Sequence, residues 1–290
     1  MFSRLLYYLV LAPLSRMPFW LLHVLSSVLY FFLYYIIGYR KKVVRENLRR
    51  SFPEKSEQER HRIEKDFFLH LADIFLEGVK AFHITKDQLR KHVSCRNPEV
   101  VRRFYDEGKD VIIAVGHYGS WELLLTGLNL FIRHRAVVIY KPLSNAYLDK
   151  KLRESRGEYR TMLLPMQQVK PFFTEPRKEL SAVVFAIDQS PSNPQSAWWT
   201  NFLHQETGVL FGTEKYAKTY DIPVVYAHIH REKRGHYSLT FETVAAAPRE
   251  TPEGMITENA TKLLEQDIIA APAWWLWSHK RWKHKRPGKV

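Results

Sequence analysis

The chain has a single cysteine, Cys95, so no disulfide can close within it, and a reducing compartment suits its composition. It is also short of acid. Thirty Asp and Glu face 44 Lys and Arg, for a formal net charge of +14, which implies a polyanionic partner: nucleic acid or an anionic membrane surface. Zinc spacing is missing. Thirteen histidines are present, but none falls in a Cys/His pattern. His228 and His230 share one face of a strand with no third ligand, so no metal is expected. Internal repeats, low-complexity tracts and linkers after residue 50 are absent too. With 46% hydrophobic residues, this is the composition of a folded protein.

Charge of either sign is lacking from Met17 to Tyr39, where only His23 can titrate. At ~1.5 Å per residue that run matches a ~30 Å hydrocarbon layer. It is too long for a signal-peptide core, and no A-x-A-like cleavage site follows. Its Tyr and Trp suit a membrane interface. Residues 5–14 are apolar as well, separated from the run by Pro13 and Arg16. Residues 1–40 are therefore expected to form a membrane anchor. Immediately after comes Arg40-Lys-Lys-Val-Val-Arg-Glu-Asn-Leu-Arg-Arg50, rich in base, which marks a cytoplasmic flank and favours anionic head groups. Residues 41–290 are expected to be one cytoplasmic-facing domain.

Ser56-Glu-Gln-Glu59 matches a capping box and opens an amphipathic helix through about Phe82, with Ile63, Phe67, Leu71, Ile74 and Phe75 at helical spacing. From residue 110 the pattern alternates. Strands are predicted at 111–115, 136–140, 182–187, 223–229 and 236–244, and helices at 120–130, 144–155, 166–180, 212–220 and 254–269. Such alternation argues an α/β sheet with helices on its faces. The last two strands read as a hairpin at one edge, through Lys233-Arg-Gly-His236.

The chemistry centres on Asp110-Val-Ile-Ile-Ala-Val-Gly-His117-Tyr-Gly-Ser-Trp-Glu122. A β-branched apolar run gives a buried strand. Gly116 and Gly119 permit a tight turn, and Ser120 is placed as the N-cap of the next helix. The turn can fold His117 and Glu122 together, the arrangement of a general base and its orienting acid. At the other end, Pro272 to Val290 interleaves four tryptophans with six Lys or Arg. That mixture occurs in single-strand nucleic-acid binders and at membrane interfaces, and the apolar N-terminus favours the second.

In order and spacing these stretches resemble the bacterial lipid A late acyltransferases, Kdo-dependent lauroyl/myristoyl transferases of the lysophospholipid acyltransferase superfamily. The matching residues are Gly116-His-Tyr-Gly-Ser-Trp-Glu122, Tyr140-Lys-Pro142 with Asn145 and Arg156, Asp188-Gln189, Phe211-Gly212, and Trp275-Leu-Trp-Ser-His-Lys-Arg-Trp282. The resemblance implies a single α/β domain with a mixed central sheet flanked by helices, glycerolipid acyltransferase-like, behind an N-terminal anchor helix. It implies His117, Glu122, Arg156 and Asp188 as catalytic residues, with Glu122 holding His117 and Arg156 gripping an anionic group. Tyr140, Lys141, Asn145, Gln189 and Arg281 are then substrate-binding. Lys141 stands where the family usually has Arg, which keeps the charge and loses the planar fork.

The implied reaction moves an acyl group from acyl carrier protein or coenzyme A to a hydroxyl of a lipid A precursor at the cytoplasmic side of a bacterial inner membrane. It needs no cofactor and involves no nucleic acid. Two alternatives remain open at this point: an acyltransferase for a lysophospholipid or amino-acid lipid, and a non-enzymatic, membrane-tethered binder of a polyanion.

Overall fold

The structure, a computed structural model, describes residues 2–288. Helix α1 (Phe2–Leu6) passes through a π-helical turn (Tyr7–Leu11) into α2 (Ala12–Arg16), making one rod. Met17 and Pro18 are extended and break it, as a proline and the residue before it dispose them to do. A second rod follows, α3 (Phe19–Phe31) with a π-helical turn (Phe32–Ile36). Then come α4 (Lys41–Ser51), α5 (Glu57–Lys80), α6 (Lys86–His92), β1 (Val93–Cys95), α7 (Glu99–Asp106), β2 (Val111–Val115), α8 (Trp121–Gly127), β3 (Arg135–Tyr140), α9 (Ala146–Gly157), β4 (Met162–Pro165), α10 (Val169–Thr174), β5 (Ser181–Ala186), β6 (Trp198–Phe202), β7 (Gln205–Val209), α11 (Gly212–Tyr220), β8 (Val224–Lys233), β9 (His236–Ala245) and α12 (Met255–Ala270).

Seven strands form one mixed sheet in the order β1-β9-β8-β2-β5-β3-β4. β2 lies between β8 and β5, parallel to both, and all five of its residues are buried. A strand covered on both faces needs apolar side chains throughout, which explains the uninterrupted Val-Ile-Ile-Ala-Val text. The capping box of α5 forms in both directions: Ser56 Oγ accepts from the Glu59 amide at 3.2 Å, and Glu59 Oε2 accepts from the Ser56 amide at 2.7 Å. The mixed α/β sheet flanked by helices is thus the observed architecture.

Two expectations need correction. The β8–β9 hairpin is not the sheet's edge, because the three-residue β1 adds to β9 in parallel. The 190–210 region, where no strand or helix is predicted, contains the two-stranded β6–β7 hairpin. Both elements, like β4, are too short to show a period.

The N-terminal rods are not free-standing. α3 runs antiparallel along α5, and buried polar groups join the two. Asp73, fully buried on α5, accepts from Ser26 Oγ, from Arg231, and from both Nε and Nη2 of Arg234 at 3.0 and 2.7 Å. Arg234 also donates to the His23 carbonyl at 3.0 Å. His23 Nε2 lies 3.3 Å from Glu77, and Lys80 Nζ donates to the Met17 carbonyl at 2.9 Å. The β8–β9 turn can approach this closely because Gly235 takes φ +73° and a side chain there would meet the His23 ring at 2.5 Å.

Removing one partner from a buried charge cluster costs roughly 3–5 kcal/mol, because the rest stay buried unpaired. Asp73→Ala is therefore expected to lower the melting temperature of the detergent-solubilised protein sharply. An unchanged melting temperature would mean that Asp73 does not hold the N-terminal rods.

Candidate active site

Two neighbouring parallel strands build the site. β2 and β5 pair Val111 with Ala182 through Val115 with Ala186, and the Ile187 amide still donates to the Val115 carbonyl at 3.0 Å. Two residues beyond the last pair stand His117 on one strand and Asp188 on the other. Equal offsets in a parallel register put them side by side at the carboxyl ends of the strands, where open α/β sheets place their ligand sites. His117 Nδ1 is 2.7 Å from Asp188 Oδ1, and the His117 amide donates to Asp188 Oδ2 at 2.9 Å. A third N–H comes from the C-terminal segment: Trp275 Nε1 donates to Asp188 Oδ2 at 2.8 Å.

Burial alone would push the Asp188 carboxyl up. The adjacent imidazole and these N–H donors outweigh it and hold the group down to about 2, so it is ionised at neutral pH. Burial likewise opposes charge on His117. The Asp188 carboxylate reverses that, and the imidazole titrates above its ordinary value, with Glu122 adding a smaller push the same way. With Nδ1–H given to Asp188, Nε2 is left as the basic nitrogen. It faces the Gln189 side-chain amide at 3.3 Å.

The expected His117–Glu122 hydrogen bond does not form. Glu122 Oε2 instead lies 2.6 Å from Arg156 Nη2. Its place on the first turn of α8 aims it at α9, whereas the parallel register delivers Asp188 to the imidazole. Arg156 is buried at 3% exposure and donates to the Ala81 carbonyl at 2.9 Å, so it ties α5, α8 and α9 together, with its guanidinium on Glu122. Asp188 hydrogen-bonds His117 and Trp275, not Arg156. Ser120 precedes α8 without capping it, and its hydroxyl is buried without a partner. The turn depends on Gly119, with φ +57°, where a side chain would meet Ile229 at 2.5 Å. The Gly119 amide donates to the Trp274 carbonyl at 2.9 Å, so it is not free to bind an oxyanion.

A cavity of about 490 Å³ opens at His117, lined by Val115, Trp121, Tyr140, Phe185, Gln189 and Tyr216 among others. A second, of about 460 Å³, lies between α5 and α9 and is reached past Tyr39, Arg40 and Phe75. Trp121 and Glu122 line both. Each volume falls in the range of small-molecule sites, and both linings are mostly apolar.

Lys141 joins Tyr140 and Gln189 around the first cavity. The Tyr140 hydroxyl donates to Asp149 at 3.1 Å. Asn145 serves instead as the N-cap of α9, accepting from the Leu148 amide at 3.1 Å. Arg281 is not in either cavity. It lies in a turn, buried behind the β6–β7 hairpin, and donates to the Gly208 carbonyl at 2.8 Å.

A profile of the bacterial lipid A biosynthesis acyltransferases matches residues 1–284. The chain belongs to that family. It is 21% identical over 250 residues to the lipid A biosynthesis palmitoleoyltransferase of Escherichia coli K12, covering 86% of this chain and 81% of that one. It is 22% identical over 251 residues to the lipid A biosynthesis lauroyltransferase of the same organism, with the same coverage. A lipid A biosynthesis acyltransferase of Shigella flexneri is 21% identical over 250 residues. The protein is an acyltransferase.

In this acyltransferase, reasoning from sequence missed the part played by the C-terminal tail. Tyr118 and Trp275 pair as an antiparallel bridge, and the Leu276 amide donates to the His117 carbonyl at 3.1 Å. His279 Nε2 accepts from the Ser190 amide at 3.0 Å, fixing the turn that carries Gln189. The family signature Trp275–Trp282 marked the tail, but its Trp-rich text was read mainly as a membrane-facing edge. Cys95, on the far edge strand, lines neither cavity, and burial pushes its thiol up to about 11.

Two outcomes are expected. Arg156→Ala strands the Ala81 carbonyl, a loss of about 1–3 kcal/mol, so the variant should melt lower as well as lose activity. Normal melting would place Arg156 outside the α5–α8–α9 junction. In the pH profile, a base at His117 would act in its neutral form, and its raised pKa would set the acid limb. Asp188→Asn removes the carboxylate and leaves burial opposed only by the smaller push from Glu122. The limb should then shift to lower pH, and further than in Glu122→Gln. A larger shift in Glu122→Gln would reverse the assignment of the two carboxylates.

Proposed function

We propose that this acyltransferase transfers a fatty acyl group from an acyl thioester, on acyl carrier protein or coenzyme A, to a hydroxyl of a lipid A precursor. The work is done at the cytoplasmic face of a bacterial inner membrane. The observation that carries this reading is the His117–Asp188 pair, which opens on an apolar cavity large enough for a lipid chain. An alcohol keeps its proton at neutral pH, so a base must remove it as the new bond forms. His117 Nε2 takes that proton while the oxygen attacks the thioester carbonyl. The tetrahedral intermediate collapses, the C–S bond breaks, and the imidazolium returns the proton to the departing sulfur. The products are an ester and a free thiol.

Asp188 is a positioning residue in this scheme: it holds the Nδ1–H tautomer and stabilises the imidazolium in the transition state. Gln189, Tyr140 and Lys141 border the reacting atoms and are substrate-binding. Glu122 and Arg156 sit between the two cavities, where their mutual pairing keeps the partition rigid and nearly neutral. No covalent acyl-enzyme is called for, since neither Cys95 nor Ser120 is presented to the cavity as an activated nucleophile.

The test is transfer of labelled acyl groups from acyl carrier protein or coenzyme A to a lipid A precursor by the purified protein. Positioned general-base catalysis contributes roughly 10²–10⁴-fold, and His117→Ala should lose turnover in that range while still folding. Near-normal turnover would remove His117 as the base. Acylation of a lysophospholipid or an amino-acid lipid in place of the lipid A precursor would reassign the acceptor.

A further inference from the structure

The outer faces of the two N-terminal rods are apolar and, among the described residues, no other part of the chain covers them. On the first, Leu5, Tyr8 and Leu9 face outward; on the second, Trp20, Val24, Val28, Phe31, Tyr35 and Ile36 make one stripe along its length. Trp20 is 67% exposed and Leu9 66%. Of the 18 residues Phe19–Ile36, the four that are buried, Phe19, Leu22, Ser26 and Tyr34, lie on the opposite side, against α5. The second rod is thus long and apolar enough to cross a bilayer, but one side of it is already taken by the acyltransferase domain.

That neighbour is not built for hydrocarbon. Arg234 of the β8–β9 turn reaches His23, Ser26 and Ser27, well inside the rod, and Glu232 and Lys233 of the same turn are exposed. Near the rod's far end, α5 exposes Arg62, Lys65 and Asp66. Setting α3 across a bilayer carries this charged surface to hydrocarbon depth, where ionised side chains are strongly disfavoured. The first rod, 15 residues, reaches ~22 Å and falls short of the ~30 Å layer.

Charge says what covers the face instead. After Ile36 the chain turns at Gly38 and Arg40, both with positive φ, directly into basic α4. Lys42 and Arg50 of α4 then line one groove with Lys280 and Lys283 of the tail. Apolar stripe and adjoining cations complement the acyl chains and the anionic head groups of one leaflet. The second cavity opens beside this face, with exposed Phe75 and Leu143 at its rim.

We propose that residues 2–37 lie in the plane of a single anionic leaflet, outer face in the acyl chains, with the N-terminus on the same side of the membrane as the rest of the chain. This rests on the membrane-bound reading above and replaces a membrane-crossing anchor by an in-plane one.

The test uses the full chain in a Cys95→Ser background, carrying one new cysteine either in a flexible extension before Met1 or at Glu54→Cys. Inverted and right-side-out membrane vesicles are treated with a membrane-impermeant maleimide. Both cysteines are expected to react fully in inverted vesicles and neither in right-side-out ones. Reaction of the two from opposite sides overturns the in-plane arrangement while leaving membrane association standing. Failure of the protein to float with vesicles containing phosphatidylglycerol in high salt overturns both.

Discussion

The Asp188 carboxylate is the point on which the site depends. It is buried at 4% exposure, where an unpaired charge is untenable, and it is ionised because three N–H groups converge on it. Those donors belong to two distant parts of the chain, the turn after β2 and the C-terminal tail. Folding the sheet core brings Asp188 to His117, and closing the tail over that turn completes the carboxylate's shell. The same bonds that stabilise the charge fix the imidazole's orientation and tautomer. Stability and the orientation of His117 are here one set of contacts, so a change that loosens the tail acts on the imidazole without touching it.

A second buried charge cluster, around Asp73, does for the N-terminal rods what Asp188 does for the tail. Hydrophobic contact alone would let α3 slide or rotate on α5. The bidentate Arg234–Asp73 pair with Ser26 sets both register and face, since hydrogen bonds of this geometry tolerate little displacement. It is this fixed rotation that gathers Trp20, Val24 and Val28 on one outward stripe and turns Ser26 inward. A sequence window sees only an uncharged run, whereas the packed rod has two unlike sides.

What was legible in the sequence follows from how local each feature is. The β2 run, the capping box at Ser56 and the α11 and α12 spans are written in adjacent residues, and they appear where the text puts them. The family motifs carried His117 and Asp188 as separate entities. Their direct contact depends on the register of β2 on β5, a long-range property, whereas Glu122, near in sequence, hydrogen-bonds Arg156 instead of His117. Asn145 and Arg281 illustrate the same limit. A motif gives a residue's identity, but whether it caps a helix, supports a hairpin or meets substrate is decided by which way the backbone turns it. β1, β4, β6 and β7 were unreadable because three to five residues show no period above chance.

The partition between the two cavities ties these threads together. Trp121 packs edge-on against the His117 ring, with centroids 5.2 Å apart, and Glu122 beside it is held by Arg156. An apolar wall would separate two lipid chambers but offer nothing to a polar reacting group between them. A lone carboxylate there would be costly and would compete for the imidazole. Pairing Glu122 with Arg156 avoids both problems: the charge is balanced, and the carboxylate is turned away from His117, leaving Asp188 as its hydrogen-bonded partner. On the proposed reaction, the hydroxyl and the thioester must meet where the two apolar spaces adjoin, and that junction is the stretch from His117 to Glu122. The turn after β2 therefore carries His117 on one side and the partition on the other, which accounts for the need for a left-handed glycine between them: a side chain at Gly119 would run into Ile229 and displace both at once.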